Sequence, residues 1–186
     1  MVTIMSLWLP IVLSAVLVFV ASAVIWMVLP HHKKEWKGLA NEEGARAAMK
    51  GTAPGLYVVP FAESQEAMKD PAVVKKLEEG PFAYITMVPS GMPQMGGMMA
   101  RSFVFYVLVA GGVAYLASRT LAPGTEYLQV FRVTGTAAWF AFGFGVIPDS
   151  IWFGKPWSST VKHLADALVY ALLLAGTFGW LWPDMM

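Results

Sequence analysis

VTIMSLWLPIVLSAVLVFVASAVIWMVL, residues 2–29, contains no charged side chain in 28 consecutive positions. A helix rising 1.5 Å per residue needs roughly 20 apolar residues to cross the hydrocarbon of a bilayer. This stretch is long enough to do so. Three more apolar runs follow, Ser102–Ser118, Val133–Pro148 and Ala167–Pro183, each closely bracketed by Lys, Arg, Asp or Glu. Flanking charges snorkel to the headgroups, so somewhat shorter runs also suffice. The expected fold class is an all-α membrane protein, a four-transmembrane-helix bundle with a small α+β cytoplasmic insertion between helices 1 and 2. Residues 1–30 form the first span, 31–100 the insertion and 101–186 the remaining three spans.

Composition agrees. The 186 residues are 57% hydrophobic and 13% charged, against about 25% charged in soluble domains. The net charge of +1 supplies no basic field for nucleic acid. The absence of cysteine removes disulfides, thiolate metal sites and cysteine nucleophiles together. Ala21-Ser22-Ala23 has the form of a signal-peptidase site. However, no Lys or Arg precedes the apolar run, and the run exceeds the roughly 7–15 residues of a signal-peptide core. The segment is expected to stay as an anchor.

Pro30 should end the first helix, and Pro10 should sit in its first turn, where a missing N–H does no harm. His31, His32, Lys33, Lys34 and Lys37 follow at once. By the positive-inside rule this cluster is cytoplasmic, with Arg101, Lys155 and Lys162 on the same side and both termini outside. Trp8, Trp180 and Trp182 would lie at the outer interface, and Trp26, Trp152 and Trp157 at the inner one, as aromatic belts do. Trp139 falls mid-span and reads as a packing residue.

Small residues recur every four positions at Ala167, Ala171, Ala175 and Gly179, at Ala137, Ala141 and Gly145, and at Ala110, Ala114 and Ser118. Such stripes let helix backbones approach closely in lipid. They serve either a packed bundle or contact with another membrane subunit or a second copy.

The insertion is polar and rich in turn residues. Helices are predicted at Asn41–Lys50, capped by Asn41, and in Ser64–Glu79, restarting at Asp70-Pro71. Strands are predicted at Leu56–Phe61, which Pro60 restricts to an edge or an end, and at Phe82–Val88. So small a core is marginal alone, and the segment should lean on the spans or on a partner.

Two constellations could carry chemistry. Met92, Met95 and Met98, within a Gly/Pro-rich stretch that also holds Met87 and Met99, offer soft thioethers suited to Cu(I). Otherwise they cover apolar surface in a flexible linker. Adjacent His31 and His32 do not readily aim at one ion from regular structure. The second constellation is Asp149, Lys155, Lys162, His163, Asp166 and Tyr170. On a helix, His163, Asp166 and Tyr170 share a face and Lys162 reaches Asp166. A carboxylate beside an imidazole can relay protons, but Asp166 falls near a span end, away from the midplane where transport sites gather. Closure of the inner end by ion pairs is the expectation. Phosphate-binding, zinc-protease, hydrolase and dinucleotide signatures are absent, and no cofactor is expected.

FRVTGTAAWFAFGFGVIPDSIWFGKPW (131–157), VKHLADALVYALLLAGTFGWLWP (161–183) and WMVLPHHKKEWKGL (26–39) resemble an uncharacterised family of small four-span bacterial inner-membrane proteins without assigned function. The resemblance implies the topology and a bacterial inner-membrane location. It carries over no catalytic or binding residue. The function expected is a non-enzymatic accessory or scaffolding subunit of a membrane complex. The alternative is a small transporter or proton conduit using Asp149, His163 and Asp166, and less so a copper-handling protein.

Overall fold

The computed structural model describes residues 2–184. Four helices in it are long and apolar enough to cross a membrane: Ile4–Val28, Met95–Thr120, Tyr127–Trp152 and Trp157–Trp180. The chain divides into two compact units, Lys37–Pro93 and the remainder.

The first of the four helices is α1 (Trp8–Ala23) extended at both ends. A 3₁₀ turn, Ile4–Leu7, precedes it, capped by the Thr3 side chain accepting from the Ser6 N–H. The 3₁₀ turn begins six residues ahead of Pro10, which is the third residue of α1 and lies in its first turn. Ser14 and Ser22 donate to the carbonyls of Ile11 and Phe19, so neither hydroxyl needs water. The end is a π turn, Val24–Val28, closed by the Leu29 N–H on the Val24 carbonyl. Pro30 has no N–H with which to continue. Residues 31–34 form a turn that still belongs to the same unit as the spans.

Within the other unit, α2 (Glu42–Met49) has Asn41 as its cap, accepting from the Gly44 N–H, and acidic Glu42 and Glu43 in its first turn, where the helix dipole favours them. Strand β1 (Gly55–Val59) stops at Pro60. Helix α3 (Pro71–Glu79) begins at Asp70, whose carboxylate accepts from the Ala72 N–H. Strand β2 (Ala83–Met87) pairs antiparallel with β1 from Gly55↔Met87 to Val59↔Ala83. Among the described residues, none from 37 to 93 is buried.

Helix α4 (Met95–Thr120) starts inside the methionine-rich stretch, which is therefore helical from Met95 and not a linker throughout. Helix α5 (Tyr127–Gly143) passes through a 3₁₀ turn, Phe144–Val146, into the short α6 (Ile147–Trp152). Pro148 explains the break, because it cannot donate to the carbonyl four residues back. Helix α7 (Trp157–Trp180) begins ten residues before the charge-free run at Ala167. Lys162, expected in the turn before the fourth span, lies inside α7 with His163 and Asp166.

The closest packing in the span unit is between α5 and α7. A Cβ on Gly143 would meet that of Ala167 at 2.9 Å, one on Gly135 would meet that of Ala175 at 3.1 Å, and one on Gly179 would meet the Tyr127 ring at 2.7 Å. These pairs ascend one helix as they descend the other, so α5 and α7 are antiparallel. Ala167, Ala171 and Ala175 are buried, as are Ala110, Ala114 and Ser118 of α4. On α5 the buried line is Val130, Thr134, Ala138 and Gly143. Ala137 is half-buried, while Ala141 and Gly145 are exposed. Helix α1 packs against both α4 and α7. Val2, Leu7, Leu121, Phe178 and Trp182 share one apolar cluster, so the two described ends of the chain lie at the same end of the bundle. There the Trp182 indole donates to the Ala122 carbonyl and the Gly124 N–H to that of Pro183.

Candidate functional site

At the opposite end lies a bonded cluster of ionic groups. The turn after helix 1 carries His31, His32 and Glu35, and α7 carries Ser159, Lys162, His163 and Asp166. Asp166 is buried, with 6% of its surface exposed. Its Oδ1 lies 3.2 Å from His31 Nε2 and its Oδ2 lies 2.6 Å from His32 Nε2. The other nitrogen of His32, Nδ1, lies 2.8 Å from Glu35 Oε1. Glu35 also accepts from the Ser159 hydroxyl at 2.7 Å and pairs with Lys162 Nζ at 3.3 Å. Lys162 donates as well to the His31 carbonyl. A continuous series, Glu35–His32–Asp166–His31, thereby fastens the turn after helix 1 to α7.

The local fold explains how two adjacent histidines meet one carboxylate. Regular helix would send neighbouring side chains about 100° apart. Here the helix has ended at Pro30, and the turn lets both rings converge, their centroids 4.1 Å apart. The His32 ring stacks on Trp26, one face covered by indole, and His163 approaches both rings. One acceptor pair remains for each His32 nitrogen, so both can donate when the ring is imidazolium.

Glu35 lies beyond the apolar span. Burial, the largest single influence, pushes its carboxyl up. Hydrogen bonds from Ser159, His32 and Lys162, with the charge of His32, outweigh burial and hold the group at about 2, below its usual 4.5. Tyr170, one turn beyond Asp166, is 8% exposed. Its hydroxyl lacks a partner of normal hydrogen-bond geometry, although the Trp26 indole approaches it.

Of the expected polar cluster, the structure brings together Lys162, His163 and Asp166, with Tyr170 alongside. Asp149 stays apart: its carbonyl accepts from the Phe153 and Lys155 N–H groups, and its carboxylate joins none of the cluster's bonds. His31, His32 and Glu35 are the members that spacing along the chain did not reveal, since they lie more than 120 residues from α7. The adjacent histidines meet one carboxylate from a turn rather than from regular structure. Met95 and Met98 are on the first turn of α4 and Met92 precedes it, with all three side chains exposed. Trp139 packs against α7 as a mid-span residue should, donating to the Leu164 carbonyl at 3.1 Å.

Compared with protein-family models, with curated proteins and with solved structures, the chain matches none.

Proposed function

We propose that this chain is a non-enzymatic, multi-pass protein of the bacterial inner membrane that serves as an accessory subunit, its four helices anchoring the Lys37–Pro93 unit for a protein partner. The observation that carries this reading is the lack of a core in that unit. None of its residues is buried, and Leu56, Phe61, Phe82 and Val88 stand exposed on or beside its two strands. A hairpin and two short helices bury too little by themselves to offset chain entropy. Apolar surface of this kind gains stability when a partner covers it. The Lys and Arg bias near the span ends supports a cytoplasmic location for the unit and an outer location for both termini.

The conduit reading has less behind it. No charged side chain lies on α7 between Asp166 and Trp180, so the His–Asp series is not prolonged along that helix. Asp149, one of its three proposed carriers, stays out of the series.

The test is photo-crosslinking in living cells from a reactive residue placed at Leu56, Phe82 or Val88. The proposal expects a discrete heavier adduct from these positions, and its loss on Val88→Asp with the protein level unchanged. A chain that yields no adduct and purifies in mild detergent as a lone monomer would contradict it.

A further inference from the structure

The series at the end of the bundle has the composition of a metal centre. We propose that His31, His32 and Asp166 bind one divalent transition-metal ion of the zinc type. The Nε2 atoms of both imidazoles and the Asp166 carboxylate are the ligands, and Glu35 is the outer carboxylate that orients His32.

Geometry is the first support. The three ligand atoms lie within 4.8 Å of one another. Bonds of about 2.0–2.1 Å to a tetrahedral ion place neighbouring ligands roughly 3.3 Å apart. His31 Nε2 and Asp166 Oδ1, at 3.2 Å, already stand at that separation. His32 Nε2 lies 2.6 Å from the other carboxylate oxygen, Oδ2, and one ligand atom from each of the three residues lies within 4.8 Å of the others. The ion takes the place of the hydrogen bonds now made to Asp166.

The surroundings are the second. A ligating histidine generally gives its other N–H to a carboxylate or carbonyl, which sets the tautomer and aims the lone pair at the metal. His32 does so: Nδ1 faces Glu35 at 2.8 Å while Nε2 faces Asp166. Glu35 is fixed in turn by Ser159 and Lys162, and the His32 ring by Trp26. Lys162 holds the carbonyl of His31. A chain-built support of this kind reaches past the ligands themselves.

Two imidazoles and a carboxylate, without sulfur, favour borderline ions such as Zn²⁺ and Co²⁺ over Cu(I), and over Mg²⁺ or Ca²⁺, which take oxygen. Three protein ligands leave a fourth position for water. His32, Glu35 and His163 also lie within ligand distance of one another. There, however, Glu35 is already bonded to Ser159 and Lys162, and the ammonium 3.3 Å away opposes a second cation.

The experiment is a Co²⁺ titration of the full chain in detergent, free of any polyhistidine tag and stripped with chelator, read by visible d–d absorption. Expected is saturation at one Co²⁺ per chain, with the band abolished by one equivalent of Zn²⁺. His31→Ala, whose side chain is one-third exposed, should weaken binding at least 10-fold with an unchanged elution profile. Glu35→Gln should weaken it about 10-fold, as loss of an outer partner does, and His163→Ala should leave it unaltered. Absence of saturable binding would overturn the proposal. So would affinity that ignores His31→Ala, or a loss on His163→Ala as large as that on His31→Ala.

Discussion

The His32 imidazole lies parallel to the Trp26 indole, ring centroids 3.9 Å apart and planes inclined by 2°. Trp26 belongs to the π turn that ends helix 1, and His32 to the turn beyond Pro30. The stack folds the chain back on its own helix and holds the imidazole edge-on between two carboxylates. Both ring nitrogens then face acceptors, Nδ1 toward Glu35 and Nε2 toward Asp166. An imidazolium stacked on indole gains cation–π attraction as well as contact area.

Replacing that indole should therefore loosen the turn without dismantling the bundle. Trp26→Leu keeps an apolar side chain but removes the ring face. A loss of about 1 kcal/mol is expected, read as a lower midpoint in thermal unfolding of the detergent-solubilised chain. An unchanged midpoint would show that His32 is positioned by its hydrogen bonds alone.

Acid should undo the same turn from its other side. Glu35 ionises at about 2 in the folded chain and near 4.5 when free of its partners. A carboxyl depressed by folding stabilises the fold fully above its free value, and the gain disappears as pH falls through the folded one. Metal-free wild-type protein should thus lose stability between pH of about 4.5 and about 2, relative to Glu35→Gln. Parallel curves for the two proteins through the window would remove Glu35 from the network.

Helix packing offers a contrast between two glycines two positions apart. Gly143→Ala places a methyl 2.9 Å from the Ala167 Cβ and 3.1 Å from Leu164 Cδ2, while a methyl on Gly145 meets nothing within 4 Å. Forcing an extra carbon into packed surroundings costs roughly 1–3 kcal/mol. Gly143→Ala should accordingly lower the unfolding midpoint, and Gly145→Ala should leave it level or raise it. Equal effects at both positions would mean that α5 and α7 do not meet along Gly143.

Much of the fold was legible in the chain because lipid-compatible helices announce themselves through length and lack of charge. Pro60 ending β1, and Asn41 and Asp70 capping α2 and α3, were equally readable, since each acts on its own neighbours. Helix starts were less so. The apolar run at Ala167 starts ten residues inside α7, and Lys162 and Asp166 within it are bonded to the turn after helix 1. On α5 the four-residue stripe Ala137, Ala141 and Gly145 is not the buried line of the bundle. The buried line is Val130, Thr134, Ala138 and Gly143, with Gly143 closest to Ala167 of α7.

The site was half legible. Residues on one helix face, such as Lys162, His163, Asp166 and Tyr170, follow from helical geometry. Their joining with His31, His32 and Glu35 depends on where α1 ends against α7, which no local pattern records. What pointed to it was residue type, for all three histidines of the chain flank the same two spans.

His32 and Asp166, 2.6 Å apart, act as one unit that fastens the turn after helix 1 to α7. A double-mutant cycle of His32→Ala and Asp166→Asn, followed by thermal unfolding of the metal-free chain, measures that directly. Removing one partner strands the other in a buried site, so the two losses should overlap heavily. A coupling of about 1–3 kcal/mol is predicted. Strictly additive effects would contradict it.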